Sequence, residues 1–209
     1  MIFQDISTQI QDGNAKKAVV LVEQAIGQGI CAQDILEKGL IDGMNVVGEL
    51  FKRNEIFVAD MLYSARAMQK STEVLRPLLV TEGVEPVGKA CIGTVQGDLH
   101  DIGKNLVKMM LEGKGIEVID LGTDVAPETF IKTAVEENCG VICCSALLTT
   151  TMPSMKDVVE AAKAAGIRDR VKIMIGGAPT NEAFCREIGA DAHTVDAASA
   201  AEQALAYLQ

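Results

Sequence analysis

Leu36, Leu40, Met44, Val47 and Phe51 recur at spacings of four, four, three and four, which puts them on one face of a helix. Val58, Met61, Leu62, Ala65, Met68 and Leu75 make a second stripe of the same period. Ala15, Val19, Val22 and Ile26 make a third, opened by Asn14 as an N-cap and closed near Gly27 and Gly29. Short connections between such helices favour antiparallel neighbours, so residues 1–82 are expected to form a small helical bundle. The pattern breaks at VTEGVEPVG, Val80 to Gly88, where Gly, Pro and acidic residues cluster; residues 83–88 read as a linker and a candidate hinge.

Beyond the linker, over 89–209, the period changes. Short apolar runs, KACIGTV, GIEVIDLG, GVICCSA and VKIMIGG, are each followed by a helix-length segment, and a weaker run, ADAHTV, precedes the last helix. Strand alternating with helix predicts a parallel sheet covered on both faces, and near-continuous apolar runs are what such strands require. The expected fold class is therefore α/β: a helical bundle followed by a doubly wound, Rossmann-like or flavodoxin-like sheet of five strands.

Composition narrows the function. The chain has 19 basic and 29 acidic residues, a net charge of −10, which argues against nucleic acid or an anionic membrane as partner. No apolar run is long enough to span a bilayer, and the N-terminus lacks the basic and apolar regions of a signal peptide, so a cytoplasmic location is the default expectation. The six cysteines form no C-x-x-C pair and mostly sit in apolar runs, so they read as reduced core residues. Trp is absent and aromatics are 3%, which leaves no stacking platform for bases.

In a doubly wound sheet ligands bind at the carboxyl ends of the strands. After the first strand comes QGDLHDIG, after the third SALLTTT, after the fourth GGAP. The first loop lacks G-x-G-x-x-G and puts carboxylates where a pyrophosphate would lie; it is not a Ser/Thr-rich flavin phosphate loop either. The third strand ends Cys143-Cys144-Ser145, without the aspartate a phospho-receiver needs. The first loop does suit a ligating histidine. A neutral imidazole ligates borderline metals, and a carboxylate two residues away, Asp98, could accept the second ring N–H of His100. A hydroxyl from the long third loop could hold that carboxylate in turn. Gly103 permits close approach at the helix start, and Gly176-Gly177 would leave an open slot. Asp101 suits the dipole of the following helix, and Thr149 to Thr151 could cap the helix before Pro153. One nitrogen with one orienting carboxylate is too few ligands for a zinc site; it suits a metal that arrives inside a macrocycle.

D-x-H-x-x-G at Asp98, His100 and Gly103, S-x-L at Ser145 to Leu147, and G-G at Gly176-Gly177 together resemble the cobalamin-binding domain of corrinoid proteins and methionine synthase. The helical region resembles the cap module of those methyltransferases, including DGMNVVGELF and YSARAMQKSTEVL. The resemblance covers essentially the whole chain. It implies cobalamin, with cobalt, as cofactor and His100 as the lower axial ligand that displaces the cofactor's own dimethylbenzimidazole. Asp98 would bond His100, and Thr151 would complete a relay. Gly97, Asp101, Ile102, Gly103 and Leu147 would line the cofactor. Ser145, Thr149, Gly176 and Gly177 would border the slot for the nucleotide tail. Phe51, Val58 and Met61 would cover the upper face. His193 departs from the tyrosine that many relatives carry near the tail.

The function implied is that of a methyl carrier. Cobalt would accept a methyl group from a quaternary amine, methylamine, methanol or methyl ether through a substrate-specific methyltransferase. A corrinoid:acceptor methyltransferase would pass it to tetrahydrofolate or coenzyme M, and a reductive activase would restore the cofactor. With 209 residues the chain has no room for a substrate barrel, a folate domain and an activation domain, so a separate subunit, not catalytically complete alone, is expected. A cobalamin-dependent regulator would need a DNA-binding or signalling module, and a mutase subunit would have no use for the methyltransferase-like cap.

Overall fold

A computed structural model describes all of residues 1–209. The chain forms two compact units, Met1–Pro86 with Gly113–Gly115, and Val87–Glu112 with Ile116–Gln209.

The first unit is helical: α1 (Ile2–Gln11), α2 (Ala15–Gly27), α3 (Ala32–Ile35), a π-helical segment (Leu36–Ile41), α4 (Asp42–Lys52) and α5 (Val58–Glu82). Asn14 caps α2 as its position suggests, its Oδ1 accepting from Lys17 N at 3.2 Å. Leu40, Met44 and Val47 are buried, as the first stripe requires. The π segment was not foreseen, because a spacing of three and four reads as an ordinary helix. Gly39 and Gly43, one turn apart, face Ile6 and Ile10 of α1. A Cβ on Gly43 would stand 2.8 Å from Ile10 Cβ, so only glycine admits this approach. In the second stripe Met61, Ala65, Met68 and Leu75 are buried, but Val58 and Leu62 are exposed. Cys31 is likewise exposed, contrary to the core reading. It opens α3 beside Glu82, whose carboxylate accepts from Cys31 Sγ and from the free amides of Ala32 and Gln33.

The second unit is a five-stranded parallel sheet, β1 (Lys89–Thr94), β2 (Glu117–Asp120), β3 (Val141–Ser145), β4 (Lys172–Gly176) and β5 (Ala192–His193), in the order β2-β1-β3-β4-β5. That order is the flavodoxin-like one and decides between the two topologies left open above. The connecting helices are α6 (Ile102–Gly113), α7 (Pro127–Glu136), α8 (Pro153–Ala164) and α9 (Glu182–Ile188), with α10 (Ala197–Leu208) last. The central strands are near-continuously apolar because both faces are covered: Ile142, Cys144, Ile173 and Ile175 pack with Phe130 of α7 and Met155 and Val158 of α8 on one face, and Ile92, Cys143 and Met174, paired across the sheet, are buried on the other. Edge strand β2 is only half buried. No helix is long and apolar enough to cross a membrane.

Strand order reverses between β1 and β3, so the loops leaving these two strands part and open a crevice at their carboxyl ends. Those loops are 95–101 and 146–152.

Candidate functional site

β1 ends at Thr94, and Val95 N still bonds Ser145 O at 3.0 Å across to β3. The chain then turns at Gly97 (φ +86°) and delivers Asp98 into the interior, fully buried. A buried carboxylate survives only if it is fully bonded. Asp98 Oδ1 accepts from His100 N at 3.1 Å and pairs with His100 Nδ1 at 2.7 Å. Oδ2 accepts from Leu147 N at 2.8 Å, Leu148 N at 3.2 Å and Thr151 Oγ1 at 2.7 Å. Burial alone would push the Asp98 carboxyl up, but the bonds from Thr151, His100 and Leu147 outweigh it and hold it far below the usual carboxylate range.

An ionised acceptor at 2.7 Å requires the proton on Nδ1, so Nε2 of the neutral ring presents its lone pair. Half of the His100 side chain is exposed. Thr94 Oγ1 donates to His100 O at 2.8 Å, anchoring the residue from the strand end. Asp101 is exposed beside the first turn of α6 and accepts from Asn105 Nδ2 at 3.2 Å.

The crevice thus brings together Asp98, His100, Thr151, the Gly97 turn and the Leu147 amide. Ser145 stands at the end of β3 and Thr149 on the exposed loop, and neither hydroxyl joins the Asp98 network. Thr149 to Thr151 do not cap α8: its N-cap is Met152, with no side-chain bond, while the Thr151 hydroxyl is spent on Asp98 and on Leu148 O. The chain's own packing also requires a glycine at Gly177. Its φ is +128°, and a Cβ there would fall 1.8 Å from Ala146 O, whereas one on Gly176 would meet only Thr194 O at 3.9 Å. In the helical unit Met61 is fully buried, Phe51 half-buried and Val58 exposed. His193 is largely buried, with Nδ1 4.0 Å from Glu182 Oε1.

Four apolar side chains beside the histidine stay in solvent: Leu99 (72% exposed), Ile102 (74%), Leu147 (45%) and Leu148 (41%). Sequence reading singled out Ile102 and Leu147 and missed Leu99 and Leu148. The available signal was large apolar residues in loops otherwise made of polar and small ones. Such a rim marks a surface that binds something apolar. No group of three or more His, Cys, Asp and Glu side chains is arranged to hold a bare metal ion.

A family model described as B12 binding domain matches residues 88–206, and a second model of the same description matches residues 2–76. The chain belongs to the B12-binding family. This B12-binding chain is 43% identical over 192 residues to dimethylamine corrinoid protein 1 of Methanosarcina acetivorans, covering 90% of each chain. Among solved structures it is similar to a cobalamin-binding protein from Desulfitobacterium hafniense, with a TM-score of 0.83, 31% identity and 98% of each chain covered. It is also similar to a chain of the methanol:cobalamin methyltransferase complex MtaBC from Methanosarcina barkeri, with a TM-score of 0.89 and 29% identity, covering 99% of this chain and 79% of that one. The cofactor of this chain is cobalamin.

The residues in the crevice fit that cofactor. The donor set is a single oriented imidazole, as suits a metal already held by a macrocycle, and the exposed leucines and Ile102 offer an apolar edge around it. Gly103, the second residue of α6, has nothing within 4 Å of the position its Cβ would take, so nothing in the chain itself demands a glycine there. Gly103→Ala is expected to raise the stability of the cofactor-free chain, by up to about 1 kcal/mol, since alanine is the better helix former. The same variant should bind cobalamin more weakly. Urea unfolding of the cofactor-free protein and a cobalamin titration check the pair; equal affinity in both proteins would remove Gly103 from the site.

Proposed function

We propose that the chain is a methyl carrier, in which His100 Nε2 is the protein ligand to the metal of cobalamin. The observation that carries this reading is the buried Asp98 carboxylate bonded to His100 Nδ1 at 2.7 Å, which leaves Nε2 as the nitrogen free to ligate. Bound cobalamin supplies a cobalt centre that takes up a methyl group and gives it up again. The chain's own residues set the ligand. Asp98 stays ionised, keeps the proton on Nδ1 and raises the basicity of Nε2. The Thr151 hydroxyl and the Leu147 and Leu148 amides occupy Oδ2, so Oδ1 is the oxygen that faces the ring. Ser145, Thr149, Gly176 and Gly177 border the slot for the nucleotide tail, and Gly97, Asp101, Ile102, Gly103 and Leu147 line the cofactor edge.

The partners proposed are a methyltransferase that serves a methylated amine or methanol, a second that serves the acceptor, and an activase that restores the reduced cofactor. Near full-length similarity to a dimethylamine corrinoid protein and to a chain of a methanol:cobalamin methyltransferase complex supports this choice.

The test uses the full chain labelled with 15N and loaded with cob(II)alamin. A histidine ligand splits the electron paramagnetic resonance lines into doublets, while the cofactor's own 14N base gives triplets. Wild type is expected to show doublets and His100→Ala to lose them. Demethylation of dimethylamine or methanol should begin only when a methyltransferase is added. Turnover by the loaded chain alone would overturn the carrier reading.

A further inference from the structure

Asp124 lies in the loop between β2 and α7, outside every motif that the function absorbs. Its backbone is left-handed, with φ +54°, one of only three non-glycine residues in the chain with positive φ. That backbone is uncommon for residues other than glycine, Asp and Asn adopting it most readily, and surrounding bonds select it. Two such bonds exist, and both reach the histidine loop. Asp124 Oδ1 accepts from Gly97 N at 2.7 Å, and Asp124 N donates to Asp98 O at 2.9 Å. One residue therefore grips both ends of the Gly97–Asp98 segment. Next to it Val95 and Val125 form an isolated parallel bridge, so the grip extends the strand pairing past the end of the sheet.

The segment held in this way is the one that needs holding. Gly97 sits at φ +86° and can swing through conformations closed to other residues. Asp98 must enter the interior in one orientation, because its two oxygens answer to different partners: Oδ1 to the His100 ring, Oδ2 to residues 147–151. The 147–151 loop fixes the carboxylate from the β3 side. Asp124 fixes the backbone that carries it from the β2 side. Thr94 and Ser154 hold the neighbouring carbonyls of His100 and Gln96, but nothing else bonds the Gly97 amide or the Asp98 carbonyl.

We propose that Asp124 is a positioning residue for His100: its side chain and backbone lock the Gly97 turn so that Asp98 presents Oδ1 to the His100 ring. This rests on the reading that His100 ligates the metal of cobalamin.

The test compares Asp124→Gly and Asp124→Asn in the full chain, 15N-labelled and loaded with cob(II)alamin. Glycine adopts the left-handed backbone without strain, so the fold is kept and only the acceptor is lost. Asparagine tolerates that backbone and still offers Oδ1 to Gly97 N. The expected result is that Asp124→Gly weakens histidine ligation about tenfold, the lower end for outer-shell partners, seen as lost 15N doublets at unchanged cofactor content and thermal midpoint. Asp124→Asn should keep the doublets. In the cofactor-free chain the Gly97 amide should exchange faster in Asp124→Gly only. Full doublets in Asp124→Gly, or their loss in Asp124→Asn as well, would overturn the inference. If His100→Ala also keeps the doublets, the axial assignment itself falls. If His100→Ala loses them while Asp124→Gly keeps them, only the role of Asp124 falls.

Discussion

Asp98→Ala is expected to destabilise the cofactor-free chain by about 3 kcal/mol and to weaken histidine ligation about ten- to a hundredfold. The carboxylate is fully buried and takes bonds from the His100 amide and ring, the Leu147 and Leu148 amides and the Thr151 hydroxyl. Alanine accepts none of them. Thr151 retains a second acceptor in Leu148 O at 3.0 Å, but the amides of His100, Leu147 and Leu148 have no other acceptor in the chain, and an orphaned donor costs roughly 1–3 kcal/mol. The His100 ring also loses the group that fixes its tautomer. The pH dependence has a definite sign. The folded chain holds the Asp98 carboxyl below its usual value, so folding favours the ionised form. That contribution is complete above the unfolded value, about pH 4, and fades as pH falls toward the lowered native value. Urea unfolding at neutral pH should therefore show a wide gap between wild type and Asp98→Ala, and the gap should narrow below about pH 4. Equal stabilities at neutral pH would mean that the carboxylate is not what ties the two loops together.

Gly177→Ala is expected to be the more damaging substitution for the fold, on the order of 4 kcal/mol. A Cβ would stand 1.8 Å from Ala146 O and 2.9 Å from its carbonyl carbon, and φ +128° is a backbone that L side chains rarely adopt. Both obstacles are main chain, so no rotamer change relieves them. The carbonyl of Gly177 also accepts from Thr180 N at 3.0 Å and Thr180 Oγ1 at 2.7 Å, so moving this peptide breaks the turn into α9. Gly176→Ala is the control. Its Cβ has only Thr194 O at 3.9 Å, so the cofactor-free chain should unfold within about 0.5 kcal/mol of wild type. Cobalamin retention should nonetheless fall if this residue borders the tail slot. Denaturant midpoints of the two alanine variants separate the roles; similar midpoints would refute the distinction between a packing glycine and a cofactor glycine.

The histidine loop was legible because its chemistry is local. Asp98 and His100 are two residues apart, and a carboxylate beside an imidazole suggests an oriented ligand before any fold is known. The helical stripes were legible for the same reason, since period is a property of neighbours in the chain. Several features that local reading leaves out depend on a partner far away in sequence. Local spacing alone reads Thr149 to Thr151 as a helix cap; the resemblance instead paired Thr151 with Asp98, 53 residues earlier, and the structure has that bond. Cys31 sits before an apolar stripe, yet it lies exposed beside Glu82, 51 residues later. Gly177 reads as room for a ligand, and its missing side chain also makes room for Ala146 O, 31 residues earlier. Asp124 carries no motif at all, because its signal is a backbone angle and two bonds to another loop.

By itself the sequence determined a helical region, five alternating strands and helices, a histidine paired with an aspartate at the end of the first strand, and a net charge of −10. Spacing, period and composition suffice for these, because each depends on residues within a few positions of one another. The tertiary structure alone decided the β2-β1-β3-β4-β5 order and, through it, the crevice between the first and third strands. Parallel pairing of β1 with β3 brings Leu147, 49 residues from Asp98, to 2.8 Å from its carboxylate. The hydrogen bonds that keep this buried carboxylate ionised, and the proton on Nδ1, exist only once the two loops have closed over it.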